Sequence, residues 1–198
     1  MTLLAAKQIK GKWKIFVDSW VMANYTVIDA VRQRRPKVTK IDDLIVAGSW
    51  DCRVVDFMQN EIEKAINDNV DLYDANLKLL LHKTIAEAIP KIKSIDADNK
   101  VDFTLLVYDI IWEHLYVCSG YWIFEPLDEA EIVAGSWDTA FYQLRKYHSF
   151  SEAIKEAVKG DEFCDFPILT MTDEGELILA DDLLEDGEVR LITWEANT

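Results

Sequence analysis

The spacing of hydrophobic and polar residues predicts strands at both ends of the chain. Ile9–Val17 alternates strictly, with three lysines on one side, and this period of two predicts a half-buried strand. Near the other end, Ile168–Thr172, Glu176–Ala180 and Glu188–Trp194 are strand-like, and glycine-containing turns separate them. These three segments predict an antiparallel β meander.

Between these strands, hydrophobic residues recur at the three- and four-residue steps of amphipathic helices. The capping-box sequence that begins at Ser149 predicts one helix start, and Gly160 predicts the end of that helix. Pro36 and Pro90 are predicted to end two earlier helices, because proline disfavours helical geometry in the residue before it. The predicted helices are Asn24–Arg35, Trp50–Ile66, Ala75–Ile89, a helix capped by Ser136 that runs through Leu144 to Tyr147, and the segment from Ser149 to Gly160.

The apolar segment Phe103–Cys118 is compatible with two structures. A helix would carry a narrow polar stripe that includes Asp109 and Glu113, whereas a strand would place charges on both faces within a few residues. This comparison favours a largely buried helix. Tyr121–Phe124 then predicts a short strand.

The heptapeptide Ile-Val-Ala-Gly-Ser-Trp-Asp occurs twice, at Ile45–Asp51 and at Ile132–Asp138, and a match of this length favours a partial internal duplication. The repeat fits a helix start in which glycine makes the turn, serine caps the helix, aspartate complements its dipole and tryptophan packs. The residues before each copy fit either a short helix or a strand end, and the acids before the second copy favour a helix. The repeat-turn residues are Gly48, Ser49, Trp50, Asp51, Gly135, Ser136, Trp137 and Asp138.

Together these elements predict an α+β fold. Its body would be mainly helical, with an N-terminal strand, a C-terminal antiparallel β meander and a partially duplicated Gly-Ser-Trp-Asp helix start. We expect one compact domain over residues 1–198, with 1–95 and 100–198 as an alternative division into two repeat-containing units.

Charge is distributed unevenly along the 198 residues, whose net charge is -15. Residues 1–40 carry nine basic and two acidic residues, whereas the last 38 residues hold twelve acids and one arginine. Such a surface would repel nucleic-acid phosphates, so we expect no direct nucleic-acid binding.

The three cysteines are far apart in sequence and no signal peptide is visible, which predicts reduced thiols and a cytoplasmic protein. The charges within the longest apolar run argue against a membrane span.

These features favour a non-enzymatic interaction protein. Its acidic C-terminal region, with Asp181, Asp182, Glu185 and Asp186, would bind and inhibit a basic protein partner. Immunity proteins for nuclease toxins and anti-defence DNA mimics, which act as inhibitors, have a similar charge distribution, and the analogy is one of composition only. The basic N-terminal region could contact acidic residues of the same chain or of a second copy, so self-association is also expected.

The alternative is an enzyme or a small-ligand-binding domain. Its catalytic candidates are Asp109, Glu113 and His114, with Trp112 and Tyr116 as walls, because a buried carboxylate beside a histidine can transfer protons. The sequence contains no metal-ligand spacing and no phosphate-binding glycine loop, so neither a metal nor a cofactor is expected.

Overall fold

The computed structural model describes residues 3–18, 20–23, 26–29, 37–50, 52–95, 101–135, 138–160, 168–172, 174–184 and 188–191. The chain divides into two compact units. The first combines Met1–Pro36 with Glu129–Thr198, and the second is Lys37–Asp128.

The described strands and helices follow one another along the chain. The strands are β1 (Leu4–Ile9), β2 (Lys12–Asp18), β3 (Trp20–Ala23), β4 (Thr26–Asp29), β5 (Val38–Ile41), β6 (Leu44–Trp50), β7 (Phe103–Asp109), β8 (His114–Ser119), β9 (Trp122–Phe124), β10 (Glu131–Ala134), β11 (Ile168–Met171), β12 (Leu177–Leu183) and β13 (Val189–Leu191). The helices are α1 (Cys52–Asn67), α2 (Ala75–Ile95), α3 (Asp138–Leu144) and α4 (Phe150–Lys159).

The first unit is built on an antiparallel sheet in the order β10-β1-β2-β11-β12-β13, together with the hairpin β3–β4. Helices α3 and α4 connect β10 to β11. Their apolar residues, including Phe141, Phe150 and Ile154, form a core with Leu3 and Phe16 of the sheet.

The second unit contains an antiparallel sheet in the sequential order β5-β6-β7-β8-β9. Helices α1 and α2 connect β6 to β7. Met58 and Leu81 of these helices form a core with Val46, Leu105 and Val107 of the sheet. Each unit therefore contains a strand, a helix pair and a returning antiparallel strand.

The residues that alternate with these core positions are buried too. In the first unit they include Leu4, Ile15 and Val17, and in the second they include Leu106 and Tyr108. Successive side chains of a strand point to opposite faces, so both faces of each sheet are buried at these positions. Strands of this kind are nearly continuous apolar runs, which periodicity alone does not distinguish from buried helices.

This double burial explains why the predicted mainly helical body is wrong. Among the described residues, the two main sheets contain six and five strands, whereas four segments are helical. Phe103–Cys118 forms β7 and most of β8, which pair as an antiparallel hairpin with Asp109 opposite His114. The charged residues that argued against a strand are at the turn of this hairpin.

Two helix predictions near prolines also need correction. Thr26–Asp29 forms a strand paired with β3 rather than part of the predicted Asn24–Arg35 helix. The other residues of that predicted helix lie outside the described ranges. Helix α2 continues through Pro90 to Ile95 instead of ending at the proline. Ile92 is buried beyond Pro90, and burying an isoleucine contributes about 1.5–3 kcal/mol, comparable with the roughly 3 kcal/mol cost of an interior proline.

Other predicted elements are present in the structure. Helix α1 follows the first repeat, and Ser149 caps α4 through a complete capping box with Glu152. The single strand predicted over Ile9–Val17 is only partly correct, because Ile9 ends β1, Lys10 and Gly11 form a turn with positive φ, and β2 begins at Lys12. β11, β12 and β13 pair in succession as a meander. Local periodicity and capping chemistry were sufficient for the two helices and the meander.

Both heptapeptide copies stand where a strand leads into a helix pair. The preference for helices before the repeats is wrong, because Ile45–Ala47 lies in β6 and Ile132–Ala134 lies in β10. The shared sequence has different surroundings in the two units. β6 lies between β5 and β7, whereas β10 forms the edge of its sheet.

Candidate functional site

A wholly buried carboxylate lies at the end of β2. Asp18 is 0% exposed, and its Oδ1 accepts a 2.7 Å hydrogen bond from the backbone N–H of Leu3. The Asp18 backbone N–H donates in turn to the Leu3 carbonyl oxygen at 3.2 Å. The side chain of Asp18 is thereby fixed against the backbone that begins β1.

The strand register explains this position. Leu4 pairs with Val17, so the next pair outward brings Leu3 opposite Asp18. On the other side of β2, Asp18 pairs with Ile168 of β11. A carboxylate held between two neighbouring strands has lost most of its hydration, and burial of that kind is stable only with hydrogen-bonding or charged partners.

Sequence reasoning did not identify Asp18. Polar and apolar residues alternate only as far as Lys14. The next three residues, Ile15, Phe16 and Val17, are all apolar and buried. An acid directly after such a run is a signal for a buried charge at a strand end. Buried ionisable groups with specific partners are concentrated at functional sites, which makes Asp18 the leading candidate in the described part of the chain.

The predicted trio Asp109, Glu113 and His114 belongs to the β7–β8 turn. Asp109 is buried, and its Oδ1 accepts hydrogen bonds from the backbone N–H groups of Ile111 and Trp112, both at 3.0 Å. Glu113 is exposed and has a positive φ of 56°. Because the segment is a hairpin, the two carboxylates do not share a helix face. The described contacts give Asp109 a turn-stabilising role, and catalysis by the trio remains a prediction.

His114 and Tyr116 contribute to a separate polar cluster in the second unit. The Tyr116 hydroxyl lies 3.5 Å from His114 Nδ1 and donates to Asp74 Oδ1 at 3.4 Å. Lys78 pairs with both Asp74 and Glu125. Burial raises the pKa of Tyr116 to about 12, with smaller contributions from the negative charges of Glu125 and Asp74. The hydroxyl therefore remains protonated at neutral pH and acts as a donor.

The acids predicted to bind a partner are only partly described. Asp181 is exposed on β12, whereas Asp182 pairs with Lys155 at 3.3 Å and with Arg190 at 3.4 Å. Glu185 and Asp186 lie outside the described residues. Asp182 therefore forms its ion pairs with basic residues of the first unit.

The repeat-turn residues have different roles in the two copies. Ser49 lies within β6, opposite Thr104, so its predicted capping role is wrong, since α1 begins at Cys52. A Cβ on Gly48 would overlap the side chain of Val55, whereas Gly135 has a φ of 132°. Gly48 is thus required for close helix packing and Gly135 for its backbone conformation.

The remaining repeat positions are incompletely described. Asp51, Ser136, Trp137 and the side chain of Trp50 lie outside the described residues. Asp138 is in the first turn of α3, where its Oδ1 accepts from the backbone N–H and the hydroxyl of Thr139.

The part of the chain that the structure describes contains neither a cluster of metal ligands nor a helix suited to a membrane. There, no three histidine, cysteine, aspartate or glutamate side chains are grouped so that they could hold a metal ion. None of the helices described combines the length and apolar character needed to cross a membrane.

The fold is similar to those of several solved structures. Anbu (ancestral beta-subunit) from Yersinia bercovieri matches with a TM-score of 0.67 and 12% identity, over 98% of this chain and 88% of that chain. HslV from Trypanosoma brucei matches with a TM-score of 0.54 and 13% identity, over 90% of this chain and 98% of its own. BPH from Thiobacillus denitrificans, solved in complex with epoxomicin, matches with a TM-score of 0.56 and 12% identity, over 86% and 97% of the two chains. No protein-family model and no curated protein matches the sequence.

These similarities identify a proteasome-like fold. They correct the prediction of a non-enzymatic, inhibitor-like or immunity-like acidic protein, because the solved structures that share this fold are proteasome-like. At 12–13% identity the similarity concerns the fold alone.

Proposed function

We propose that this protein is an amide-bond hydrolase that uses Thr2 as an N-terminal nucleophile. The observation that carries the proposal is the buried Asp18 carboxylate, which is hydrogen-bonded to Leu3. Thr2 directly precedes Leu3 in the sequence. An N-terminal threonine supplies both a hydroxyl nucleophile and an amine that can act as its base.

The reaction follows from these groups. The Thr2 hydroxyl oxygen attacks the carbonyl carbon of an amide, and its proton passes to the Thr2 α-amino group. That proton then moves to the leaving nitrogen as the C–N bond breaks, which leaves an ester on Thr2. Water hydrolyses the ester and regenerates the hydroxyl. The negative charge of Asp18 would stabilise the ammonium that forms during the attack, because an opposite charge nearby favours the charged form.

The proposal requires a free amino group on Thr2. We therefore expect the intact mass of the purified protein to lack Met1. Epoxomicin, which is bound in the BPH structure, is a suitable probe. We expect it to form one covalent adduct per chain, mapped by peptide mass spectrometry to Thr2.

Variants make the test specific. Thr2→Ala should abolish the adduct and lower hydrolysis of a fluorogenic peptide panel by at least about a thousandfold, whereas Thr2→Ser should retain part of both. Thr139→Ala is the matched control, because Thr139 is an exposed threonine at the start of α3. Asp18→Asn should slow hydrolysis on the order of a hundredfold while leaving the circular dichroism spectrum unchanged. Hydrolysis that survives Thr2→Ala, or a chain with free Thr2 that neither reacts nor hydrolyses, would refute the proposal.

We also propose a cytoplasmic location. Cys118 is a free, buried thiol, and long-lived free thiols are typical of reducing compartments. Fractionation of the native host's cells with an antibody to the protein tests this, and recovery outside the cytoplasm would contradict it.

A further inference from the structure

A cavity in the second unit combines aromatic and acidic walls. It has a volume of about 500 Å³, which is within the range of small-molecule sites. Three loops surround it: the β5–β6 turn, the segment between α1 and α2, and the β7–β8 turn. None of its residues contributes to the proposed hydrolytic site.

The aromatic wall consists of Tyr73 and Trp112. Their ring centroids are 4.6 Å apart and their planes meet at 60°, while the side chains remain 47% and 52% exposed. Large rings that are paired with one another yet still exposed leave part of their faces open to a ligand. Such faces attract cations through the ring quadrupole.

The acidic wall is formed by Asp42, Asp43, Asp71 and Asp109. The cavity-lining residues include no lysine, arginine or histidine, and among the described residues none of these four carboxylates forms an ion pair. An uncompensated negative potential inside a concave surface raises the local concentration of cations.

The walls are held in place before any ligand binds. Asp109 Oδ1 accepts hydrogen bonds from Ile111 and Trp112, which fixes the turn that carries the indole. The backbone N–H of Ile110 donates to the Asp43 carbonyl oxygen at 2.9 Å, which ties that turn to the β5–β6 turn. A preorganised site loses less conformational entropy when it binds.

We propose that this cavity binds a guanidinium group. A guanidinium is planar and stacks on aromatic rings, and its fork of N–H donors matches carboxylates, so it suits both walls at once. The group could belong to a free small molecule or to an arginine side chain of a peptide.

Calorimetric titration of the full chain tests this binding. Argininamide serves as the free probe and acetyl-Ala-Arg-Ala-amide as the peptide probe. Citrullinamide is the isostere that keeps the α-amino group but has a neutral urea in place of the guanidinium. We expect both charged probes to bind at least about tenfold more tightly than citrullinamide, and binding to weaken as salt increases. Binding of the peptide alone would identify the side chain of a peptide as the source, and binding of argininamide alone would identify a free ligand. Equal binding of citrullinamide, or no binding of either charged probe, would overturn the proposal.

Variants locate the site. Trp112→Leu should weaken argininamide binding about tenfold. Asp42→Asn combined with Asp71→Asn should weaken it at least as much, and asparagine tolerates the φ of 54° at position 42. Asp181→Asn is the matched control, since it removes an exposed carboxylate from the first unit. An equal loss in the control would place the binding elsewhere. Thr2→Ala should leave binding unchanged, which separates this proposal from the hydrolytic one.

Discussion

The backbone N–H of Leu3 donates a 2.7 Å hydrogen bond to the carboxylate of Asp18, fifteen positions later in the chain. The two residues face each other across the β1–β2 hairpin, where Asp18 is wholly buried. This bond places a negative charge against the backbone immediately after Thr2. It therefore connects the stability of the first hairpin with the chemistry proposed for the protein.

Replacing Asp18 should cost stability as well as activity. We expect Asp18→Ala to lower the free energy of unfolding by about 1–3 kcal/mol, because it leaves the buried Leu3 N–H without its acceptor. Urea denaturation followed by circular dichroism measures this change. Asp181→Ala, at an exposed position, should stay within about 0.5 kcal/mol of the parent protein. Equal effects from the two variants would show that the Leu3 bond contributes nothing.

Gly48 and Gly160 should respond in opposite directions to substitution by alanine. A Cβ on Gly48 would overlap Val55 and lie 2.8 Å from Leu105 Cδ2, so Gly48→Ala should destabilise the protein by about 1–3 kcal/mol. At Gly160, with a φ of -83°, the nearest atom would be 3.5 Å away. Gly160→Ala should be neutral or stabilise by up to about 1 kcal/mol, because it reduces the entropy of the unfolded chain. Thermal melting of the two variants compares them directly, and the same sign for both would be inconsistent with this packing.

The capping box of α4 should make stability depend on pH. Hydrogen bonds from the Ser149 backbone and side chain lower the pKa of Glu152 below its ordinary value of 4.5. A lowered folded pKa means that the contribution is complete above the ordinary value and is lost as pH falls through the folded one. Ser149→Ala should cost about 1 kcal/mol at neutral pH. It should also return the Glu152 pKa towards 4.5 in an NMR titration, and an unchanged titration would argue against the box.

The thiol of Cys118 should be inert in the folded protein. Burial raises its pKa to about 12, so the nucleophilic thiolate is scarce at pH 8. Because the folded pKa is the higher one, this group's contribution to stability is complete below the unfolded value of about 9 and is lost as pH rises towards 12. Alkylation followed by peptide mapping should modify Cys118 only after urea is added. Rapid modification at pH 8 without urea would show that the thiol is accessible.

The two apolar segments around β7 and α4 show where sequence reasoning succeeds and where it does not. α4 has one apolar face and a capping box, both of which are local features, so its bounds were predictable. Phe103–Asp109 is buried on both faces of its sheet, which removes the alternation that identifies a strand. Burial on both faces makes the run of apolar residues compatible with a helix as well as a strand. The sequence therefore favoured a helix there.

The candidate sites divide in a similar way. The sequence drew attention to Asp109 and Trp112, and both line the acidic cavity, but it placed them on a helix beside Glu113 and His114. Tyr73 joins the wall from a segment more than thirty positions earlier, a distance that no local pattern bridges. Asp18 was overlooked because a single acid at a strand end is chemically ordinary until its burial is known.

The sequence alone determined the local elements of this protein: the amphipathic α1, the capped α4 and the C-terminal strands. Periodicity and capping involve residues only a few positions apart, so they can be recognised in the sequence itself. The tertiary structure alone decided that the apolar middle of the chain is a sheet, that Asp18 is buried against Leu3, and that Tyr73 meets Trp112. Each of these depends on burial or on contacts between distant residues, which arise only when separate strands and loops pack together.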